Sequence, residues 1–266
     1  MPARIVTLTT DFGEADAYVG AMKGVILSIH PEARLVDLSH DIDSQDVTAA
    51  CLLLEQIYGY FPEDTIFVTV VDPEVGTERA ILAVRADRRT FLAPDNGVFS
   101  LIYPEQEKLT VMHITAAHYF RTPVSNTFHA RDIFASAAGY LSKGIDPTQF
   151  GEEITEYVKL NIPKPAATSE KAWKGIVLKV DRFGNIITNI SPADCPALFA
   201  DPTPGFKITA GGKEITKLAK VYADGAPGEI FAILGSSGHL EIATNRGGAA
   251  KLLSLNRGGE VALALT

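Results

Sequence analysis

The sequence predicts an α/β N-terminal domain with a mostly parallel, Rossmann-like sheet, followed by a smaller, all-β, barrel-like domain. Strand-like and helix-like segments alternate up to about residue 160, which is typical of a parallel sheet covered by helices on both faces. A Pro- and Ala-rich stretch follows, and short strand-like segments punctuated by Gly and Pro fill the remainder. We therefore predict an α/β catalytic domain over 1–162, a linker over 163–172 and a β domain over 173–266.

The elements of the first domain follow from their residue patterns. The β-branched run RIVTLTT (4–10) predicts the first strand, and Val19, Met22, Ile26 and Ile29 have the spacing of a helix. The later segments are, in order, the strand RLVDLSH, the helix VTAACLLLEQIYGYF, the strand TIFVTVVDP, the hairpin AILAVRA and RTFLAPDNG, the strand KLTVMHIT and the helix HARDIFASAAGYLSKG.

The sequence of the second domain predicts strands and no helix. The predicted strands are GIVLKVD, NIITNI, FKITAG, KEITKLAKVY, EIFAILG, HLEIATN and EVALALT.

Composition excludes several classes of protein. Of 266 residues, 46% are hydrophobic and 21% charged, as in globular proteins, and the net charge of −8 without a basic run disfavours nucleic-acid binding. The N-terminus lacks the pattern of a secretory signal, and no apolar run has membrane-spanning length. Cys51 and Cys195 match no C-x-x-C pattern and are expected to be buried thiols in a reducing compartment. We predict a cytoplasmic protein.

Polar side chains cluster where the predicted strands end. Asp11, Asp72 and the Asp95-Asn96-Gly97 turn each follow a strand, and His129 opens a helix. Ligands of open parallel sheets bind at the carboxyl ends of the strands, so these side chains are expected to converge. The alternative for each one alone is a turn residue or a helix cap. The DFG triplet at 11–13 is not that of a kinase, because no Gly-rich loop precedes it.

His129 is expected to remain neutral near pH 7, because a helix N-terminus disfavours imidazolium. A neutral imidazole can accept a proton from water, whereas the alternative is an ordinary histidine at a helix start. Asp132 could merely interact with the same helix N-terminus. A metal centre on Asp11, His40, Asp72 and His129 is a weaker alternative, since no ligand spacing supports it.

The second domain carries its own polar signature in DRFGNIITNI (181–190) and GSSGHLEIATNRGGAA (235–250). An exposed Phe beside an Asn amide suits a purine, because the ring can stack and the amide can read the edge of the base. The alternative is a hairpin with Phe183 in the core.

These segments together resemble the S-adenosyl-L-methionine (SAM) hydroxide adenosyltransferases, the adenosine-forming hydrolases related to the fluorinase and the chlorinase. The matching stretches, in the order of the family and over both domains, are TTDFGEADAYVGAMKG, LSHDI, VVDPEVGTERA, APDNG, NTFHARDIFA, DRFGNIITNI and SSGHLEIATN.

The resemblance implies hydrolysis of SAM to adenosine and L-methionine, by attack of water or hydroxide on C5′ of the ribose. It implies a catalytic set of Asp72, Arg79 and His129. Asp72 and His129 would orient and deprotonate the water, while Arg79 would keep Asp72 ionised. SAM is then the substrate, and no cofactor or metal is expected.

Substrate contacts are implied as well. Asp11 would bind the ribose hydroxyls, and Asp16 with Tyr18 nearby and Asp181 would face the methionine ammonium. Ser236 and Ser237 would hold the methionine carboxylate. The adenine would lie against Phe183 and Tyr222, read by Asn185 and by the backbone around Asn245 and Arg246. Family members form homotrimers, in which the first domain of one subunit meets the second domain of its neighbour.

The alternatives are a halogenase of the same fold and a protein that binds an adenosine compound without chemistry. Family halogenases carry an extra loop in the first domain and a serine beside the histidine, whereas here the stretch 79–93 is short and Ala130 follows His129. Two positions depart from the family. Glu74 stands where Gly is common, and would strain its loop if that position required a positive φ. Ser237 stands where the halogenase has an Arg.

Overall fold

The protein is described by a computed structural model that covers residues 4–266. It divides into two compact units, the first ending at Leu160 and the second running from Asn161 to Thr266. Within the described residues, no helix combines the length and apolar character needed to cross a membrane.

The first unit contains a seven-stranded sheet and three α-helices in the residues described. Its elements are β1 (Ile5–Thr10), α1 (Tyr18–Ile29), β2 (Arg34–Ser39), α2 (Val47–Ile57), β3 (Ile66–Val70), β4 (Ile81–Ala86), β5 (Arg89–Pro94), β6 (Leu109–Ile114), α3 (Ala135–Ser142) and β7 (Gly151–Glu153). The strand order is β2-β1-β3-β5-β4-β6-β7.

This sheet is mixed, which corrects the prediction of a mostly parallel, Rossmann-like sheet. The strands β2, β1, β3 and β5 pair in parallel, whereas β4 is antiparallel to both β5 and β6, and β6 is antiparallel to β7. The predicted hairpin of β4 and β5 is present and turns through Asp87 and Arg88. A two-residue turn can join only antiparallel strands, so the hairpin itself makes the sheet mixed.

The helices of the first unit form where the patterns predict them. Val19, Met22 and Ile26 are the buried residues of α1, and the side chain of Asp46 caps α2 by accepting a hydrogen bond from Ala49 N at 2.9 Å. Helices α1 and α3 pack closely. A Cβ on Gly139 of α3 would lie only 2.9 Å from Ile29 Cβ of α1, so the contact depends on the absence of a side chain at Gly139. The core below them is formed by apolar side chains of the central strands and of α3.

A π-helical turn over Ala130–Phe134 precedes α3 and begins directly after His129. The helix predicted from His129 onward is therefore present, but its first turn is wider than an α-helical one. Isolated π-turns within helices are often found at functional sites.

The second unit is rich in antiparallel strands around its own core. Its elements are β8 (Ala166–Ser169), β9 (Ala172–Val180), β10 (Ile186–Thr188), β11 (Phe206–Ala210), β12 (Lys213–Ile215), β13 (Leu218–Ala219), β14 (Ile230–Leu234), β15 (Leu240–Thr244), α4 (Ala249–Leu253) and β16 (Glu260–Leu265). The main strand order is β12-β11-β16-β9-β10-β15-β14-β13.

Two features of the second unit differ from the sequence prediction. The unit is not strictly all-β, because it contains the short helix α4. Residues 166–169, within the predicted linker 163–172, form β8, which pairs with β9. The β8 segment AATS and the α4 segment AAKLL are short and rich in Ala, so neither shows the hydrophobic periodicity that would predict a strand or a helix from the sequence.

Candidate functional site

Asp72, Arg79 and His129 meet in the first unit. Arg79 Nε lies 2.8 and 3.0 Å from the two carboxylate oxygens of Asp72, and Arg79 Nη2 donates to Asp72 Oδ2 as well. The same Nη2 lies 3.0 Å from Nδ1 of His129. Arg79 therefore bridges the carboxylate and the imidazole.

The side chains of this cluster are almost completely buried. The side chains of Arg79 and Asp72 are 4% and 5% exposed, and His129 is 9% exposed. The guanidinium carbon of Arg79 lies 5.9 Å from the centre of the Phe134 ring. Arg79 Nη1 is buried and has no acceptor among residues 4–266, so one strong donor is left for a bound molecule.

Burial, together with the positive charge of Arg79, lowers the pKa of His129 below its ordinary value of 6.5. The imidazole is therefore neutral near pH 7, as expected from the sequence. Because a guanidinium can only donate, Nδ1 of His129 must accept, and the proton of the neutral ring lies on Nε2.

The strand register places Asp72 and Asp11 at the same edge of the sheet. Thr10 at the end of β1 pairs with Val70 at the end of β3, so the residues that follow leave the sheet at the same edge. Asp11 Oδ2 accepts a hydrogen bond from Gln45 N at 2.8 Å.

The loop that carries Asp11 is tied to the loop that carries His129. The Tyr18 ring lies 5.6 Å from Phe12 and 5.1 Å from Phe128, the residue before His129. Tyr18 is 48% exposed at the start of α1, and Asp16 is exposed in the turn before it. The predicted residues Asp11 and Asp16 thus lie on the loop before α1, and Tyr18 at the start of α1 links this loop to the residue before His129 through these aromatic contacts.

The loop that carries Asp72 and Arg79 depends on a glycine. Gly76 has φ +82°, and a Cβ there would lie 2.2 Å from the carbonyl oxygen of Asn126. Glu74, the departure from the family pattern, is not among the described residues with positive φ, so it does not strain this loop.

Two further residues support the cluster: Asn96, which was expected at this edge of the sheet, and Asp132, which was expected only to interact with a helix N-terminus. Asn96 Nδ2 donates to the carbonyl oxygen of Val71 at 2.7 Å, directly before Asp72. Asp132 is fully buried and accepts from Arg131 Nε at 2.7 Å and from Ser125 N at 2.9 Å, which fixes the loop leading to His129. Burial opposes its charge, but these hydrogen bonds lower the pKa of Asp132.

The second unit contains a cavity of about 750 Å³. Its lining includes six of the predicted residues, namely Asp181, Phe183, Asn185, Tyr222, Ser236 and Arg246. Phe183 is 79% exposed, so it is not the core residue of the alternative interpretation. An exposed aromatic ring on a cavity wall is available to stack on a planar ligand.

The turn over 181–185 shapes one wall of the cavity. Asp181 Oδ1 accepts from Phe183 N and Asn185 N, and its Oδ2 accepts from Asn185 Nδ2 at 3.0 Å. The amide oxygen of Asn185 is then the end of that side chain suited to accept from a ligand. Gly184 with φ +82° lets the turn approach Gly248, since a Cβ on it would lie 2.6 Å from Gly248 Cα.

Ser237 and Asn245 are placed differently from the six lining residues. Asn245 Nδ2 donates to the carbonyl oxygen of Gly225 at 2.7 Å, and its own carbonyl accepts from Gly228 N, so both groups hold neighbouring loops. The Oγ of Ser237 is buried without a hydrogen-bond partner among residues 4–266.

The cavity also contains lining residues that were not predicted, namely Glu241, Thr244, Gly247 and Gly248. Glu241 is 6% exposed, and Tyr222 Oη donates to its Oε2 at 3.0 Å. Burial is the main cause that raises the pKa of Glu241, and burial together with the Glu241 charge raises the pKa of Tyr222 to about 12.

The metal alternative has no counterpart in the described residues. No group of three or more His, Cys, Asp or Glu side chains in residues 4–266 is arranged to hold a metal ion. Both cysteines are buried free thiols, as predicted.

Comparison with known proteins identifies the family. Residues 6–151 match the SAM hydroxide adenosyltransferase N-terminal domain, and residues 175–262 match the C-terminal domain of the same family. The chain is 36% identical to a (R)-S-adenosyl-L-methionine hydrolase of Thermus thermophilus, covering 98% of this chain and 99% of the relative. It is 35% identical to the protein of that name from Methanocaldococcus jannaschii, covering 95% and 92%.

A more distant relative and a solved structure of the same fold are also similar to this chain over nearly its whole length. A fluorinase of Actinoplanes sp. is 25% identical over 92% of this chain and 93% of the relative. The crystal structure of an uncharacterized conserved protein from Thermotoga maritima, 34% identical, superimposes with a TM-score of 0.90 over 98% of this chain and 99% of that one. The chain belongs to the SAM hydroxide adenosyltransferase family.

Proposed function

We propose that this protein hydrolyses SAM to adenosine and L-methionine. The observation that carries the proposal is the buried cluster in which Arg79 bridges Asp72 and His129. A protein that only binds an adenosine compound has no need of a buried carboxylate and imidazole held together beside an unsatisfied donor. Family membership and the (R)-S-adenosyl-L-methionine hydrolases among the relatives support the same reaction.

The chemistry suits a site with few catalytic groups. An oxygen lone pair of water forms a bond to C5′, the C5′–S bond breaks, and its electrons remain on sulfur. The sulfonium becomes the neutral thioether of methionine, so no general acid is needed for the leaving group. The water loses one proton, and adenosine is formed. The protein must orient the water in line with the C5′–S bond and receive that proton.

The three residues divide these tasks in our proposal. Asp72 accepts the proton from the water, because it provides the carboxylate of the cluster. Arg79 fixes the orientation of the Asp72 carboxylate by donating to both of its oxygens, and it offers Nη1 to the oxygen that becomes nucleophilic. With its proton on Nε2, His129 orients the water as a donor, which differs from the sequence-based expectation that it accepts the proton.

The remaining predicted residues would bind the substrate. We propose Asp11 for the ribose hydroxyls, Asp16 with Tyr18 near the ammonium, and Phe183 and Tyr222 against the adenine. The further proposed contacts are Asn185 and the backbone near Asn245 and Arg246 at the adenine edge, Asp181 facing the ammonium, and Ser236 and Ser237 at the methionine carboxylate.

A halogenase of the same fold is the second candidate, because fluorinases are among the relatives. Two observations disfavour it. The segment between Arg79 and Ala93 contains only the tight β4–β5 hairpin, with no extra loop. Ala130, which is 2% exposed, follows His129 and provides no hydroxyl for a halide.

Incubation of the purified protein with SAM in a strong chelator, with and without chloride or fluoride, tests the proposal. We expect adenosine and methionine in equal amounts, independent of halide and chelator, because neither a metal nor a cofactor takes part in the proposed steps. A 5′-halo-adenosine product would support the halogenase, and loss of activity in chelator would support a metal-dependent enzyme. Tight binding of SAM without product over hours would support the alternative of a protein that binds an adenosine compound without chemistry.

We also propose that the chain forms a homotrimer in which neighbouring subunits contribute to each site, as the family resemblance implies. Co-expression of Asp72→Ala and Asn185→Ala chains, each inactive alone, tests this. If the two residues act from different subunits, random mixing should restore about one quarter of the wild-type activity. Absence of activity in the mixed trimers would contradict a site shared between subunits. Light scattering would measure the mass of the assembly and so test the homotrimer itself.

A further inference from the structure

Glu241 is an unusual residue for its place in the fold. It lies in β15, whose five residues are all buried, between Leu240 and Ile242 of the core. An ionisable side chain in such a strand is costly unless a partner compensates it. Its carboxyl group lines the cavity of the second unit beside Asp181, Tyr222 and Ser236.

The surrounding residues make room for this carboxyl group. A Cβ on Gly235 would lie 1.8 Å from Glu241 Oε1, so the absence of a side chain at Gly235 leaves the space that the carboxyl occupies. Tyr222 Oη holds the other oxygen at 3.0 Å. The carboxyl is therefore fixed in direction by a hydrogen bond on one side and by the Gly235 backbone on the other.

The charges around the cavity favour a positive ligand group. Asp181 lies close enough for its charge to oppose ionisation of Glu241, whereas Lys179 favours it. The oxygens of Asp181 already accept three hydrogen bonds from its own turn. Glu241 is thus a second carboxyl on the same cavity, and a ligand cation would satisfy it better than a neutral amine would.

We propose that Glu241 binds the primary ammonium group of the amino-acid part of the substrate, an inference that rests on the proposed function. Gly235, which contacts the Glu241 carboxyl, directly precedes Ser236, the proposed partner of the methionine carboxylate. The ammonium and carboxylate of an amino acid are attached to one carbon atom, so their binding groups should be neighbours in the protein. Glu241 then makes the enzyme selective for a ligand with a free amino group.

Two ligands test this selectivity directly, namely L-methionine and 4-(methylthio)butanoate, which differs from methionine only by lacking the amino group. We expect the wild type to bind methionine at least about tenfold more tightly than the analogue, and Glu241→Gln to lose most of this preference. The KM for SAM should rise about tenfold in Glu241→Gln, with kcat changed less than about threefold, because the ammonium does not react. Glu214→Gln, which removes an exposed carboxylate paired with Lys207, is the matched control.

Adenosine binding separates the possible failures. Glu241→Gln should bind adenosine as the wild type does, which shows that the cavity is intact. If Glu241→Gln keeps the preference for methionine while the wild type hydrolyses SAM, the role of Glu241 is wrong and the proposed function stands. If the wild type binds adenosine and methionine but yields no products from SAM, the proposed function fails, whereas the binding preference still reports on Glu241.

Discussion

Replacing Asp72 by Asn should reduce kcat for SAM hydrolysis on the order of 10³-fold, because the isosteric amide cannot accept the proton that water loses. The KM should change little, since the proposed contacts to adenine and methionine lie elsewhere. Steady-state kinetics at saturating SAM would measure this. Asp64→Asn is the matched control, because Asp64 is an exposed carboxylate of the same unit, paired with Arg88 at 3.2 Å. A loss smaller than tenfold in Asp72→Asn would exclude Asp72 as the proton acceptor.

His129 should matter less than Asp72 if it only donates to the water. His129→Gln, whose amide can still donate, is expected to lose about tenfold to 10²-fold in kcat. The lowered pKa of His129 also predicts a pH profile. Wild-type kcat should fall only below pH 6.5, when the ring protonates and Nδ1 can no longer accept from Arg79, and this fall should be absent in His129→Gln. A larger loss in His129→Gln than in Asp72→Asn would make His129 the base.

Replacing Arg79 by Gln should abolish activity and destabilise the protein. Removal of one partner from a buried ion pair leaves the other charge without compensation, at a cost of about 3–5 kcal/mol in the free energy of unfolding. Asp72 is 5% exposed, so water cannot replace the guanidinium fully. Urea unfolding followed by circular dichroism would measure the change.

The double variant Asp72→Asn and Arg79→Gln distinguishes the ion pair from simple loss of packing. With both charges removed, most of the stability lost in Arg79→Gln should return, although activity should not. If the double variant is as unstable as the sum of the two single variants, the coupling between Asp72 and Arg79 contributes little to stability. The exposed pair of Lys207 and Glu214 should show a coupling below about 1 kcal/mol in the same cycle.

The place of Asp72 could be predicted from a strand end, whereas Arg79 entered the predicted set only through the family resemblance. Asp11 and Asp72 each follow a recognisable strand, and parallel neighbours bring such residues to one edge. Asn96 was expected at the same edge, because its turn also follows a strand. Its hydrogen bond to the carbonyl of Val71 and that of Asp132 to Ser125 N could not be predicted, because the path of a loop is not encoded in any periodicity. Glu241 could not be predicted as a site residue because it lies inside an apolar strand, whose pattern predicts core positions and not a cavity wall.

The limits of the fold prediction have a similar origin. The alternation of strands and helices correctly indicated the parallel half of the first sheet, but the place of β4 between β5 and β6 depends on long-range pairing. The strand β8 is stabilised by its pairing with β9 rather than by its own Ala-rich sequence.

The helix that begins at His129 must both direct the imidazole and pack against α1, and the π-turn after His129 makes these two requirements independent of each other. One extra residue in a turn rotates everything before it by about 100° relative to everything after it. The small side chains of α3 can therefore keep their fit against α1, while His129 faces Arg79 in a direction that a regular helix would not give it. Substitutions that repack the α1–α3 contact and substitutions that redirect the imidazole can then accumulate independently, so the chemistry of this fold can diverge without rebuilding its core.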